Sequence, residues 1–253
     1  MIVYPNAKIN LGLNVLERRL DGYHEISSIF YPVIDLFDIL EIIPAEVFLF
    51  TSSGLAIPGD ENICIKAYNL LKEDFSIHPI RIHLHKQIPI GAGLGGGSAD
   101  GAFTLIILNQ LFDLKLSRDQ LEKYALQLGS DCPFFIDNTP KYVSGIGQEM
   151  SSIDLDLSNL ELKFIFPDLH ISTAEAYTGI RPQLPQVNLL DLISQPIDNW
   201  KDRVRNDFET SVFIKHPSLK IMKQKFYENG AIYASMSGSG SVIYGLFQKQ
   251  KCN

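Results

Sequence analysis

The sequence contains few cysteines, and this scarcity excludes the classes of fold that cysteine pairs or clusters stabilise. Three of the 253 residues are cysteines, Cys64, Cys132 and Cys252. An odd number at wide spacing suits neither a disulfide framework nor a cysteine-based metal site. We therefore interpret all three as free thiols. Cys132 has no base partner at the level of a motif, so a cysteine nucleophile is not expected.

Long apolar runs and an excess of positive charge are also missing. No stretch reaches the roughly 18 uncharged residues of a membrane-spanning helix, and residues 1–25 include Lys8, Glu17 and Arg18 where a signal sequence would have an apolar block. The net charge is −7, whereas nucleic-acid binding relies on clustered lysine and arginine. These absences predict a cytoplasmic protein whose partner is neither a membrane nor a nucleic acid.

Hydrophobic residues make up 45% of the chain, which is enough for a substantial core in one large domain or two smaller lobes. Their spacing changes repeatedly between strand and helix patterns, which indicates an α+β fold. In the first part of the chain we predict strands at residues 2–15, at 26–43 with a break near Pro32, and at 81–85, and helices at 62–75 and 99–112.

After Gly147 the pattern of elements restarts, so we place a boundary near residue 150, between domains 1–150 and 151–253. Ser172 and Glu175 have the spacing of a capping box, which predicts the start of a helix. Farther along we predict a strand at 162–166, a helix at 219–229 and a hairpin turn at 237–241.

A glycine-rich segment at residues 89–98, here called the glycine loop, is the most informative motif. Five of the seven positions from Gly91 to Gly97 are glycine, and Ser98 and an apolar run follow. Glycine allows backbone N–H groups to converge on an anion. The predicted helix leaves its first N–H groups unpaired and its dipole positive at that end, so phosphate oxygens can bind there. The segment predicts a nucleotide site.

A Walker loop and a dinucleotide-binding loop fit this motif less well. A Walker loop requires Gly-Lys-Ser/Thr, whereas the residue directly before Ser98 is Gly97 and not a lysine. Gly91, Gly93 and Gly96 match G-x-G-x-x-G, but a dinucleotide fold needs a strand after the helix. Here a second helix follows, opened by a capping box at Ser117 and closed by Gly129. A merely flexible glycine loop stays open as an alternative, although apolar flanks disfavour it.

Two polar features outside this loop are candidates for chemistry. Asn6, Lys8 and Asn10 lie on one face of the first predicted strand by its two-residue period. A solvent-facing lysine is the ordinary interpretation of Lys8, whereas a polar face of this length also suits a binding site. Asp131 lies in a tight turn after a helix, where it is either an Asx-turn residue or a fixed carboxylate.

Residues 89–100 closely resemble the ATP-binding signature of the kinase family named after galactokinase, homoserine kinase, mevalonate kinase and phosphomevalonate kinase, the GHMP family. Four further segments, at 5–15, 19–25, 129–135 and 237–241, resemble the branch of that family that phosphorylates 4-diphosphocytidyl-2-C-methyl-D-erythritol on its 2-hydroxyl. The resemblance extends from about residue 3 to about residue 247. It implies a two-lobed α+β GHMP kinase fold, with nucleotide and acceptor bound in the cleft between the lobes.

The resemblance also implies roles for single residues. Asp131 would accept the proton of the acceptor hydroxyl, and Lys8 would pair with Asp131 and orient that hydroxyl. Asn62 and Lys86 would lie near the nucleotide, although Asn62 could equally cap the helix that it opens. The remaining residues expected to bind ATP are Pro89, Ile90, Gly91, Ala92, Gly93, Leu94, Gly95, Gly96, Gly97, Ser98 and Ala99.

The acceptor in the resembled branch carries a cytidyl diphosphate group. Tyr23 and Tyr177 would sandwich its cytosine, and His24 would hydrogen-bond the edge of the base. Asn10 is a further expected contact to this substrate. Taken singly, such residues more often serve packing, and family members vary between tyrosine and phenylalanine at the place of Tyr177.

ATP as phosphoryl donor follows from the resemblance, and Mg²⁺ is expected with it. No carboxylate cluster with metal-ligand spacing is present, so the metal would arrive mostly on ATP phosphates and water. Two alternatives stay open: another kinase of this family, of homoserine or mevalonate type, or a catalytically silent nucleotide-binding protein on the same fold. A silent protein should have lost Lys8 or Asp131, and both are present. The oligomeric state leaves no mark in the sequence.

Overall fold

The structure is a computed structural model that describes residues 1–59 and 62–249. Cys252 lies outside the described residues. The strands are β1 (Ile2–Val3), β2 (Asn6–Arg18), β3 (His24–Phe37), β4 (Ile39–Pro44), β5 (Leu49–Gly54), β6 (Ile80–Lys86), β7 (Lys141–Ser144), β8 (Glu149–Ser152), β9 (Leu160–Ile165), β10 (Tyr233–Met236) and β11 (Ile243–Gln248). The helices are α1 (Ile63–Asp74), α2 (Gly96–Leu111), α3 (Arg118–Leu128), α4 (Phe134–Asp137), α5 (Thr173–Tyr177), α6 (Leu189–Ile193), α7 (Phe208–Lys215) and α8 (Pro217–Glu228).

These elements pack into two units, and neither unit is continuous in sequence. The first unit contains residues 1–8, 32–90 and 95–139, and the second contains 9–31, 91–94 and the chain from Pro140 onward. A single cut near residue 150 does not separate these units, because residues 9–31 pair with the second half of the chain. In β3, for example, Ser28 lies opposite Val143 of β7.

The first unit is built on a four-stranded sheet in the order β1-β4-β6-β5. Strand β4 runs antiparallel to β6, and β5 runs parallel to it. Strand β6 shows the two-residue period of a half-buried strand, since Ile80, Ile82 and Leu84 are buried while Arg81 is exposed. Lys86 occupies the next buried position of the same row. Helices α1, α2 and α3 contribute the other half of this core.

The second unit contains the three-stranded sheet β10-β11-β9. It also contains the pairing of β3 with β7 and of β7 with β8. The predicted hairpin at 237–241 is confirmed, because β10 and β11 are antiparallel neighbours joined by that turn. Helix α8 lies close to β11: a side chain at Gly245 would come within 2.6 Å of the ring of Phe226.

Most predicted elements are present. The strand predicted at 2–15 is two strands, β1 and β2, which belong to different sheets. Strand β3 continues through Pro32, so the predicted break there is wrong; β3 ends at Phe37, and the buried Asp38 separates it from β4. Helix α2 begins at Gly96, earlier than the predicted start near Ser98. The capping box of α3 is complete. At α5 Ser172 accepts from the backbone N–H of Glu175, whereas the Glu175 carboxylate lies 3.1 Å from His216 Nε2.

Candidate active site

The glycine loop connects β6 to α2 and depends on glycine at alternate positions. Gly91, Gly93 and Gly95 have φ angles of +70°, +80° and +69°, in the left-handed region that other residues rarely adopt. A Cβ atom at Gly93 would lie 2.0 Å from the backbone oxygen of Ser237. The Ser237 hydroxyl in turn donates to the Gly93 carbonyl at 2.8 Å. The loop is therefore held in one shape, which argues against the merely flexible alternative.

Lys8 and Asp131 form an ion pair in the first unit, with 3.5 Å between Nζ and Oδ2. Only 4% of the Lys8 side chain is exposed, against 31% for Asp131. Lys8 is thus not a solvent-facing residue. Burial lowers the pKa of the Lys8 ammonium, and the Asp131 carboxylate opposes that effect. The pair therefore combines a buried cation with a carboxylate that solvent or a substrate can reach.

The turn that carries Asp131 is fixed on both sides. Gly129 is the C-cap of α3, and its carbonyl accepts from the N–H of Cys132 at 3.1 Å. Pro133 then opens α4, and Phe134 and Phe135 are fully buried. Two buried aromatic rings directly after the turn resist rotation of the segment, so the Asp131 carboxylate is presented from a rigid position.

The start of α2 lies close to Lys8. A Cβ atom at Gly95 would come within 3.0 Å of the Lys8 side chain and 3.1 Å of the Phe135 ring. Gly95 is the N-cap of α2, where backbone N–H groups and the helix dipole favour an anion. The first unit therefore brings a helix start that favours an anion, a buried ammonium and a carboxylate to one place.

Asn6 and Asn10, the other members of the predicted polar face, are both buried. Asn6 exchanges hydrogen bonds with Asn138, the residue after α4. Asn10 belongs to the second unit, where its side-chain amide donates to Ser28 Oγ at 2.8 Å. The contact of Asn10 with a substrate stays a prediction.

Asn62 and Lys86 both have partners within the protein. Asn62 Oδ1 accepts from the N–H of Cys64 at 2.8 Å and so caps α1, as the alternative interpretation required. The Lys86 ammonium binds Asp38 and lies 2.7 Å from Asp100 Oδ2. These two carboxylates raise the pKa of Lys86 despite its burial, which acts in the opposite direction. The roles of Asn62 and Lys86 toward a nucleotide stay predictions.

The predicted cytosine-binding residues lie in the second unit. The His24 imidazole stacks on the Tyr177 ring, with 4.7 Å between centroids and 17° between planes. Tyr23 is 60% exposed. His24, Tyr177 and Arg18 line a cavity of about 430 Å³. A cytosine between Tyr23 and Tyr177, as predicted, would have to displace His24 from the tyrosine face.

Sequence reasoning missed Asp38, Asp100 and Arg18. Asp38 and Asp100 surround the Lys86 ammonium, and Arg18 lines the cavity beside His24. A detectable signal existed for Asp38, because it is a charged residue between two strongly apolar strands. Asp100 offered the weaker signal of an acid at the start of an apolar helix.

Comparison with known proteins agrees with the resemblance found in the sequence. Two family models match, "GHMP kinases N terminal domain" at residues 62–138 and "GHMP kinases C terminal" at residues 186–251. The 4-diphosphocytidyl-2-C-methyl-D-erythritol kinase of Azobacteroides pseudotrichonymphae is 54% identical over 98% of this chain and 94% of its own length. The chain belongs to the GHMP kinase family. The enzyme of the same name from Parabacteroides distasonis is 49% identical to this GHMP kinase, over 98% of this chain and 92% of that protein.

Solved structures agree with this assignment. A crystal structure of 4-(cytidine 5'-diphospho)-2C-methyl-D-erythritol kinase has a TM-score of 0.82 at 33% identity, over 97% of this GHMP kinase and 90% of that chain. A mevalonate kinase structure, at 14% identity and a TM-score of 0.72, shares the fold. The predicted GHMP kinase fold is therefore confirmed. Across the described ranges, none of the helices combines the length and the apolar character needed to cross a membrane.

Proposed function

We propose that this GHMP kinase transfers the γ-phosphoryl group of ATP to the 2-hydroxyl of 4-diphosphocytidyl-2-C-methyl-D-erythritol, a step in non-mevalonate isoprenoid precursor biosynthesis. Relatives of that name match nearly the whole chain. The observation that carries the chemistry is the Lys8–Asp131 pair beside the N-cap of α2. A catalytically silent protein would not need a buried ammonium at this place.

In this proposal the acceptor hydroxyl gives its proton to Asp131 as its oxygen attacks the γ-phosphorus. The bond from that phosphorus to the bridging oxygen breaks, and ADP leaves with the electron pair. Lys8 orients the hydroxyl and stabilises negative charge on its oxygen. The glycine loop and the first N–H groups of α2 bind the triphosphate, with Ser98 as a further donor. Catalysis is thus mainly positioning and charge stabilisation.

The cytidyl end is assigned to the second unit. Tyr23 and Tyr177 would supply two aromatic faces once His24, which stacks on Tyr177 in this structure, moves to the edge of the base, where its imidazole can form a hydrogen bond. The cavity of about 430 Å³ beside His24 offers room for a small ligand. Selection of cytidine over other acceptors is expected to depend on these three side chains.

Mg²⁺ would accompany the triphosphate. Within the part of the chain that the structure describes, no group of three or more His, Cys, Asp or Glu side chains is arranged to hold a metal ion. The residues present therefore suit an ion held mostly by phosphate oxygens and water. Bound there, Mg²⁺ would neutralise charge on the transferred group. The cytoplasmic location predicted from the sequence stays a prediction.

The first experiment measures ADP release with ATP, Mg²⁺ and 4-diphosphocytidyl-2-C-methyl-D-erythritol, beside homoserine, mevalonate and no acceptor. Turnover with the cytidyl substrate alone is expected. Turnover with another acceptor would be consistent with the proposed phosphate site but would refute the assignment of the cytidyl substrate. ATP binding without any turnover would favour the alternative of a catalytically silent nucleotide-binding protein.

The second experiment tests the role of Asp131. Asp131→Asn should lower kcat by about 10²–10⁴-fold, as expected for loss of a general base, with ATP affinity and folding unchanged. Asp119→Asn, an exposed carboxylate in the first turn of α3, is the control and should keep wild-type turnover. Near-normal kcat in the folded Asp131→Asn protein would exclude Asp131 as the base.

A further inference from the structure

Asp38 binds the backbone directly before the glycine loop. The residue separates β3 from β4 and is fully buried. Its Oδ1 accepts from the N–H groups of Gln87 and Ile88, at 2.6 and 2.9 Å. These are the last two residues before the loop begins at Pro89. One carboxylate oxygen therefore fixes the direction in which the chain leaves β6.

The other oxygen of Asp38 connects the same point to the helix after the loop. Asp38 Oδ2 binds the Lys86 ammonium, and that ammonium lies 2.7 Å from Oδ2 of Asp100 in α2. We call these three residues the Asp38 cluster. The cluster joins the strand that enters the glycine loop to the helix that leaves it, so both ends of the loop depend on one buried carboxylate.

The start of α2 packs tightly over this cluster. A Cβ atom at Gly96 would lie 2.8 Å from the Ile88 side chain and 3.0 Å from Lys86 Nζ. Glycine at this position allows the helix start to approach the ammonium closely. The distance from the end of β6 to the start of α2 is thus set by Ile88 and the Lys86 ammonium and has little room to change.

Stability alone does not explain the charged character of this cluster. Buried ion pairs can often be replaced by apolar residues of similar volume at no cost in stability. Asp100 Oδ1 is buried and lacks a hydrogen-bond partner in the described structure, which is itself unfavourable. Charged hydrogen bonds are directional, whereas apolar contacts are not. Through them Asp38 holds two specific N–H groups and one ammonium in a fixed geometry.

We propose that Asp38 is a positioning residue for the nucleotide, holding both ends of the glycine loop so that its N–H groups match the triphosphate. Asp38 acts through Gln87, Ile88 and Lys86 and touches no substrate. This inference rests on the proposed kinase function, because it assigns ATP to the glycine loop. It predicts that loss of Asp38 weakens the nucleotide site selectively.

The test compares Asp38→Ala with Asp38→Asn, which keeps an oxygen for the two N–H groups. Calorimetry gives the Kd for a non-hydrolysable ATP analogue, and steady-state kinetics give KM for ATP and for the cytidyl acceptor. Asp38→Ala should raise the Kd and the KM for ATP at least about tenfold, the scale of a lost charged hydrogen bond, with KM for the acceptor unchanged. Asp38→Asn keeps an acceptor for the two N–H groups but turns an amide donor toward the Lys86 ammonium, so it should weaken ATP binding less than Asp38→Ala does.

Asn109→Ala is the matched control for stability. Asn109 lies near the other end of α2 and exchanges two hydrogen bonds with the backbone of Leu116. The Asn109→Ala substitution should lower the midpoint of thermal unfolding without changing the Kd for the ATP analogue. Equal weakening in Asn109→Ala and Asp38→Ala would reduce Asp38 to a structural role and overturn the inference.

The remaining outcomes are also decisive. Wild-type affinity in folded Asp38→Ala overturns the inference and leaves the kinase function intact. If Asp38→Ala does not fold, Asp38→Ser, whose side chain is too short to reach both N–H groups, decides in its place by the same criterion. Absence of analogue binding in the wild-type protein would instead refute the nucleotide assignment of the loop, and the inference with it.

Discussion

Replacing Lys8 with methionine separates catalysis from stability, because Lys8 is a buried cation whose pKa burial lowers. Two unit charges 3.5 Å apart attract by about 5 kcal/mol at an effective dielectric constant near 20 and by about 1 kcal/mol in water. Asp131 is partly exposed, so an intermediate value of about 2–4 kcal/mol applies. If this is the scale on which Lys8 acts on the transferred charge, kcat falls by about 30–1000-fold in Lys8→Met.

The thermal stability of Lys8→Met should not fall with its kcat. Methionine has a similar length, and an apolar ring lies beside the Lys8 side chain, since a Cβ atom at Gly95 would come within 3.1 Å of both Lys8 and Phe135. Removing a buried charge in favour of an apolar side chain is often neutral or stabilising. The partly exposed Asp131 carboxylate can be solvated when the ammonium is lost. The midpoint of thermal unfolding of Lys8→Met should therefore equal or exceed that of the wild type.

The assay is ADP release under saturating ATP and acceptor, with thermal unfolding of the same preparations. Lys141→Met is the matched control, because Lys141 is also a buried lysine on a strand but belongs to the second unit, where it donates to Ser152 Oγ. Its kcat should stay within about twofold of wild type. Normal kcat in Lys8→Met, or a loss of activity that parallels a lower midpoint, would refute the reasoning.

Two further predictions concern the cytidyl end and the buried acid of α2. Tyr177→Ala should raise KM for the cytidyl substrate by about 5–150-fold, from about 1–3 kcal/mol of lost stacking, and leave KM for ATP unchanged; equal KM values in both proteins would remove Tyr177 from the site. Burial raises the pKa of Asp100 from 3.8 to about 8. A carboxyl with a raised folded pKa contributes stability that is present below pH 3.8 and is lost as the pH rises through 8. Wild-type protein should therefore lose up to about 1.4 kcal/mol of unfolding free energy per pH unit in this window relative to Asp100→Asn, measured by urea unfolding at several pH values; parallel curves would contradict it.

The parts of the fold that depend on local signals could be predicted from the sequence. The reciprocal bonds of Ser117 and Gln120 fix the start of α3, and Gly129 fixes its end. The hairpin turn at 237–241 follows from its glycine and serine content between apolar runs. Pro32 misled the prediction because a proline only removes one donor, and β3 tolerates that loss.

In the candidate site, too, some residues could be predicted from the sequence and others could not. Lys8 and Asp131 could be named from motifs, and their pairing is present in the structure. The Asp38 cluster could not be predicted, because Asp38, Lys86 and Asp100 are far apart in sequence and meet only when β6 pairs with β4 and the start of α2 approaches the end of β6. The stacking of His24 on Tyr177 likewise depends on a long-range approach that neither residue signals locally.

The discontinuous units also constrain the synthesis of this protein on the ribosome. The backbone of Leu13 in β2 exchanges hydrogen bonds with Arg205 and Asp207, so this strand emerges long before its partners exist. At roughly 5–20 residues per second, the delay is about ten to forty seconds. During that time the β2 residues that are buried in the folded protein are exposed to solvent or bound by a chaperone. For the same reason, no cut in the chain could yield the second unit as a single fragment that lacks the first.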